Sequence, residues 1–152
     1  MDPKHIQHSY IDRLFNAFQI SNRHIQQDLT SSLKEMNLTG PQFYILYLLS
    51  ASEGTKSTEL ADRLDVKPSA ITVMIDRLLK NDFVTRERDE KDRRIVKLDL
   101  TAAGREVFEK AKAKRREIFS RYLAFLDEED VNHLVMIYEK LASAVEKNPT
   151  EE

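Results

Sequence analysis

The stretch STELADRLDVKPSAITVMIDRLLKND, residues 57–82, constrains the fold more than any other part of the chain. It holds two short helical patterns interrupted at residues 65–68. In the first, Leu60, Ala61 and Leu64 make an inner face, and Ala61 is small enough for another helix to come close. In the second, Ile71, Met74, Ile75, Leu78 and Leu79 recur at i, i+3, i+4, i+7 and i+8, the stripe of an amphipathic helix. Pro68 suits its first turn, where a missing N–H costs nothing. Ser69, Thr72, Val73, Asp76 and Lys80 fall on the opposite face, with Arg77 beside them. Two helices joined this tightly form a helix-turn-helix, whose second helix can present its outer face to a DNA major groove.

After Asn81 the period changes from helical to alternating. Val84, Arg86 and Arg88 alternate with Phe83, Thr85 and Glu87, and Val96, Leu98 and Leu100 with Ile95, Lys97 and Asp99. That pattern predicts two strands joined by a charged loop. The tip lacks glycine and any Asn-Gly or Asp-Gly pair, so a longer projecting loop is expected in place of a two-residue turn.

The flanks predict helices. From about Lys4 to Met36, Ile11, Leu14, Phe15, Phe18, Ile25, Leu29 and Leu33 keep a helical period. In NLTGPQFYILYLLSASEG, Thr39 and Gln42 have capping-box spacing, Pro41 follows in the first turn and Gly54 closes the segment, so its all-round apolar centre is a buried helix. Thr101 is the expected N-cap of a helix of about 24 residues, spanning roughly 36 Å. Asp127 and the acids after it open a last helix with Val131, Leu134, Val135, Tyr138, Leu141 and Val145 as its buried stripe. These long helices carry more apolar surface than a module of about sixty residues can use, and the simplest partner for the surplus is a second copy of the chain. Packing of the terminal helices on one another within a monomer is the alternative. The length of 152 residues fits a single domain, 1–152.

Several function classes drop out. The chain has no cysteine, which removes thiol switches, disulfide frameworks and Cys-type zinc sites. No apolar run reaches the roughly 20 residues of a membrane span, and the start MDPKHIQHSY is unlike a signal peptide, so a soluble cytoplasmic protein with no membrane partner is expected. Of four histidines, His5 and His8 lie one turn apart, with His24 and His133 elsewhere; nothing converges, so no metal is expected. A Gly-rich phosphate loop, nucleophile elbow and metalloprotease helix are all lacking, so neither a cofactor nor an enzyme is expected. Lys plus Arg number 24 against 26 Asp plus Glu, and between residues 57 and 100 the two signs are equal in number. Any DNA affinity must then come from placement, with bases on one face and acids turned away or bridged.

DRL at 76–78, DEKDRR at 89–94 and LTAAG at 100–104, at this spacing, resemble the MarR family of transcriptional regulators, as do the chain length and order of elements. The resemblance implies a mainly α fold with a small β-hairpin wing, a winged helix-turn-helix with long terminal dimerisation helices. It implies a DNA-binding lobe at 39–100 and a helical dimerisation region at 1–38 and 101–152. It implies a homodimeric repressor on a pseudo-palindromic double-stranded operator, with half-sites roughly 10 bp apart. Ser69, Ala70, Thr72, Val73, Arg77 and Lys80 would then meet the major groove, and the wing the adjacent minor groove. By the family pattern Arg93 comes nearest the minor groove and Arg94 braces the wing through Asp92 or Asp76, though the two roles are interchangeable. Asp89 and Asp92 would hold the neighbouring arginines by charge-assisted hydrogen bonds. Lys67 and Val73 depart from the family pattern, and Val73 could instead touch a thymine methyl.

The family also senses small aromatic molecules in a crevice between the dimer helices and the DNA-binding lobe. Tyr44, Tyr47, Phe15 and Phe18 are the aromatics that could line one, or they are plain core. The rival to a DNA-binding regulator is a winged-helix protein–protein interaction module, in which 69–80 is a protein surface.

Overall fold

The computed structural model describes residues 8–148. Its elements run α1 (His8–Glu35), α2 (Gly40–Ala51), β1 (Thr55–Lys56), α3 (Ser57–Leu64), α4 (Pro68–Lys80), β2 (Val84–Arg88), β3 (Val96–Leu100), α5 (Ala102–Leu123) and α6 (Glu128–Lys147). The chain divides into two compact units, one up to Arg116 and one from Glu117. The expected helix start at Lys4 and His5 of the histidine pair lie outside the described residues.

The helix boundaries follow their local chemistry. At α2 the capping box is complete: the Thr39 N–H donates to Gln42 Oε1 at 2.9 Å, and the Gln42 N–H donates to Thr39 Oγ1 at 3.4 Å. Helix α3 ends where Asp65 enters the left-handed region at φ 51°, and Pro68 opens α4 with its φ already helical. Asp127 caps α6 by accepting from the Asp130 N–H at 2.8 Å.

Ile45 and Leu46 of α2, Leu60 of α3, Leu78 of α4 and Leu98 of β3 are the fully buried centre of the first unit. Each is worth about 1.5–3 kcal/mol of transfer free energy. Because α4 contributes only its inner stripe, Ile71, Ile75 and Leu78, its other face stays in solvent. The core thus presents one helix face outward.

A third strand, which the sequence pattern does not announce, completes the sheet. The order is β1-β3-β2, with Thr55 opposite Leu98 and Val84 opposite Leu100, all antiparallel. Two residues are too few for any periodicity, so β1 could not be read in advance. It is held from outside: Gly54, at φ 62°, donates its N–H to Asp99 Oδ1 at 2.6 Å, and Thr55 is buried. Gly54 therefore serves the turn into β1, and α2 has already ended at Ala51.

The LTAAG motif joins the hairpin to α5. The Thr101 hydroxyl donates to the Asp82 carbonyl at 2.6 Å and accepts from the Gly104 N–H at 2.8 Å, while the Thr101 N–H donates to the Phe83 carbonyl at 3.1 Å. One side chain both caps α5 and ties it to the foot of β2. Gly104 lies against Phe83 so closely that a Cβ would fall 1.8 Å from the Phe83 carbonyl oxygen.

The terminal helices differ from the expectation in one respect. Of the α6 stripe only Val131 and Leu134 are partly covered; Val135, Tyr138, Leu141 and Val145 are exposed. On α1, Ile11, Leu14, Phe15 and Phe18 are exposed as well. The apolar period predicted the helices correctly, but a period says which residues share a face and not what covers it.

Candidate nucleic-acid interface

Helix α4 carries the candidate contact face. Ser69, Thr72, Val73, Asp76, Arg77 and Lys80 are exposed, whereas Ala70 is half-buried and turns partly toward the core. The Thr72 hydroxyl donates to the Pro68 carbonyl at 2.9 Å, so its lone pairs and methyl remain for outside contacts. Val73 is 53 % exposed in the middle of this polar face, a shape suited to a thymine methyl. Lys67, the N-cap residue, makes no side-chain cap, in keeping with its departure from the small polar residue that the resemblance implies.

The wing is the β2–β3 hairpin with its loop at 89–95, the longer connection the sequence predicts. Asp89 organises that loop. Its Oδ1 accepts from the Lys91 and Asp92 N–H groups at 2.9 and 3.0 Å, and its Oδ2 pairs with Lys97 Nζ at 2.6 Å. The Asp89 N–H donates to the Ile95 carbonyl at 3.0 Å and closes the loop. The hydrogen bond from Lys97, then those from the Asp92 and Lys91 amides, lower the Asp89 carboxyl to about 2. The same partnership raises Lys97 above the ordinary lysine value. Asp89 is therefore ionised throughout the physiological range.

These contacts correct the expected roles of the acids. Asp89 and Asp92 do not clamp guanidinium groups; they bind backbone, Asp92 Oδ1 accepting from the Arg94 N–H at 3.0 Å. Asp76 pairs with Arg86 at 3.8 Å and not with Arg94. Arg94 precedes β3 in the turn, so it does not share the inward face of Val96 and Leu98. Short aspartates reach the amides of their own loop before they reach a long, mobile guanidinium. Arg93 and Arg94 are both exposed and enter no ion pair among the described residues. The loop backbone is fixed by acids, and two arginines project from it.

The Asp76–Arg86 pair joins α4 to the wing. Both members are exposed, so it contributes at most about 1 kcal/mol to stability. Its larger effect is on charge: an unneutralised carboxylate on a face meeting phosphates would be repulsive, and Arg86 offsets it.

The aromatics separate into two groups. Tyr47 and Phe108, with ring centroids 6.5 Å apart, line an open groove of about 380 Å³ that also has Arg105, Arg115 and the Lys112–Glu109 ion pair on its walls. Tyr44 stacks on Tyr47 at 5.9 Å, and Arg115 lies over the Phe43 ring at 5.2 Å. Phe15 and Phe18 do not line this groove. Sequence reasoning missed its cationic wall, because Arg105, Lys112 and Arg115 read as an ordinary solvated helix face. His8, His24 and His133 are exposed, and no group of metal-ligating side chains converges among the described residues. No helix there is long and apolar enough to cross a membrane.

An exposed helix beside a short three-stranded sheet with a charged wing defines a winged helix-turn-helix of the DNA-binding kind. Residues 38–96 match the MarR family model. The repressor MdtR of Bacillus subtilis, an HTH-type transcriptional repressor, is 37% identical over 139 residues, covering 89% of this chain and 90% of its own. The crystal structure of the YusO protein from Bacillus subtilis aligns with TM-score 0.79 at 35% identity, over 90% of this chain and 96% of that one. A MarR mutant from E. coli complexed with operator DNA has the same fold, with TM-score 0.68 at 24% identity over 87% of this chain and 95% of that one. The chain belongs to the MarR family of winged-helix transcriptional regulators.

Proposed function

We propose that this chain is one protomer of a homodimeric repressor that binds a pseudo-palindromic operator through Ser69, Thr72, Val73, Arg77 and Lys80 in the major groove. Ala70 stands at the edge of that contact, and Arg93 and Arg94 reach the adjacent minor groove. The observation that carries this is the pairing pattern: Asp89 and Asp92 of the wing are taken by loop amides and Lys97, and Asp76 of α4 by Arg86, so none of the three holds the guanidinium group of Arg93 or Arg94. A narrow, electronegative minor groove attracts such groups. The likeness to MdtR, named a repressor, supports repression.

The uncovered apolar residues of α1 and those of α6, each a stripe along its own helix, support the dimer, since exposed apolar surface of this kind marks an association site. In this reading residues 39–100 are the DNA-binding lobe, and 1–38 with 101–152 the dimerisation region of a single domain. The groove beside Tyr47 and Phe108 suits a small aromatic anion, whose ring would stack and whose charge would meet Arg105 or Arg115. Such a ligand lowers DNA affinity only as far as it prefers a dimer with misplaced recognition helices.

Selection of duplexes from a random pool, followed by titration of the winner at two salt concentrations, tests this function. An enriched inverted repeat bound more weakly at high salt is expected. No enrichment at low salt, with α4 binding a protein instead, would overturn it in favour of an interaction module.

A further inference from the structure

At the C-terminal end of α4 lies an open pocket of about 320 Å³ whose wall includes Lys34 from the last turn of α1, Thr39 and Gln42 from the start of α2, and Arg77, Lys80 and Asn81 from the end of α4. Three cations and no carboxylate line it. Among the described residues Lys34, Arg77 and Lys80 enter no ion pair, whereas Arg86, Lys97, Lys110 and Lys112 each have a carboxylate partner. In a chain whose formal net charge is −2, three unpaired cations around one hollow are an anion site in the making.

Its position names the anion. Asp76 and Arg77 are consecutive, so their side chains leave α4 about 100° apart. Asp76 points to the wing, through Arg86, and Arg77 to the pocket. A helix in a major groove lies between two sugar–phosphate backbones roughly 12 Å apart. If the wing crosses one backbone to reach the minor groove, the other passes on the Arg77 side. We propose that Lys34, acting with Arg77 and Lys80, holds a backbone phosphate of the bound duplex on that flank. This rests on the reading that α4 enters a major groove, and it extends the DNA footprint into α1, outside the lobe at 39–100. The contact positions the protein and carries no base information.

The test uses the full-length chain with Lys34→Gln and Lys34→Arg, titrated against the selected operator and a random duplex across a range of salt. Lys34→Gln is expected to weaken both duplexes by the same factor and to reduce the magnitude of the salt slope by about 0.9 per protomer; Lys34→Arg keeps the wild-type slope. Circular dichroism melts of both variants separate loss of fold from loss of contact. An unchanged slope in folded Lys34→Gln overturns the inference, as does weakening confined to the operator. If inorganic phosphate raises the melting temperature of wild type but not of Lys34→Gln while the slope is unchanged, the pocket takes a free anion and the DNA contact is refuted. Absence of salt-dependent duplex binding by wild type would overturn the function itself, an outcome distinguishable from failure of the Lys34 contact alone.

Discussion

Replacing Gly104 by alanine adds one methyl group where the structure has no room. The new Cβ would lie 1.8 Å from the Phe83 carbonyl oxygen and 2.8 Å from its carbon. A tolerable carbon–oxygen contact is ~3.3 Å, so the start of α5 must retreat by about 1.5 Å. That movement breaks the Thr101 N–H to Phe83 bond, now 3.1 Å, and the Thr101 hydroxyl to Asp82 bond, now 2.6 Å. Two hydrogen bonds at about 1 kcal/mol each and overpacking of about 1–3 kcal/mol are opposed by the roughly 1 kcal/mol that alanine gains over glycine in a helix. The net loss is about 2–4 kcal/mol, a large part of the stability of an ordinary domain. The assay is urea denaturation followed by circular dichroism, at fixed protein concentration because association shifts the midpoint. Gly40→Ala is the matched control: a Cβ there meets nothing within 4 Å, so the same chemical change is expected to be neutral or stabilising by up to about 1 kcal/mol. If Gly104→Ala loses less than about 0.5 kcal/mol, close approach to Phe83 is not why glycine occupies that site.

The wing and the terminal helices give further tests. Arg93→Ala or Arg94→Ala is expected to cost on the order of 1–3 kcal/mol of operator binding; unchanged affinity for either, in a salt-controlled titration, removes that arginine from the interface. The folded-state value of Asp89 lies below the ordinary 3.8, so the stabilisation it supplies is complete above pH 4 and is lost as the pH falls through about 2. Urea midpoints measured from pH 5 downward should then fall less steeply for Asp89→Asn than for wild type, and parallel curves would refute the ion pair. Asp76→Asn should leave stability within about 1 kcal/mol, since its partner Arg86 is exposed; a larger loss would show a buried role that the structure lacks. Leu141→Asp, on the uncovered stripe of α6, should convert a dimer to monomers in sedimentation without loss of helix content, and an unchanged dimer would exclude that stripe from the interface.

What was legible in the sequence was local. The capping box at Thr39 and Gln42, the break before Pro68, the stripe of α4 and the Asp127 cap each involve residues within a few positions, so backbone geometry alone makes them neighbours. The resemblance carried by DEKDRR and LTAAG led to the family, and the structure supplied the physical content of the second motif. The partners of charged side chains were not legible. Asp89 takes Lys97 and two amides, Asp76 takes Arg86, and Asp99 takes the Gly54 amide and with it a strand too short to leave a pattern. Lys34 joins Arg77 and Lys80 across more than forty positions of chain. A carboxylate or an ammonium group can serve many partners, and a periodic stripe can be covered by many surfaces. Composition and spacing therefore determined which elements form and which faces they own, while only the tertiary packing decided which charges are paired within the protein and which stay unpaired at its surface.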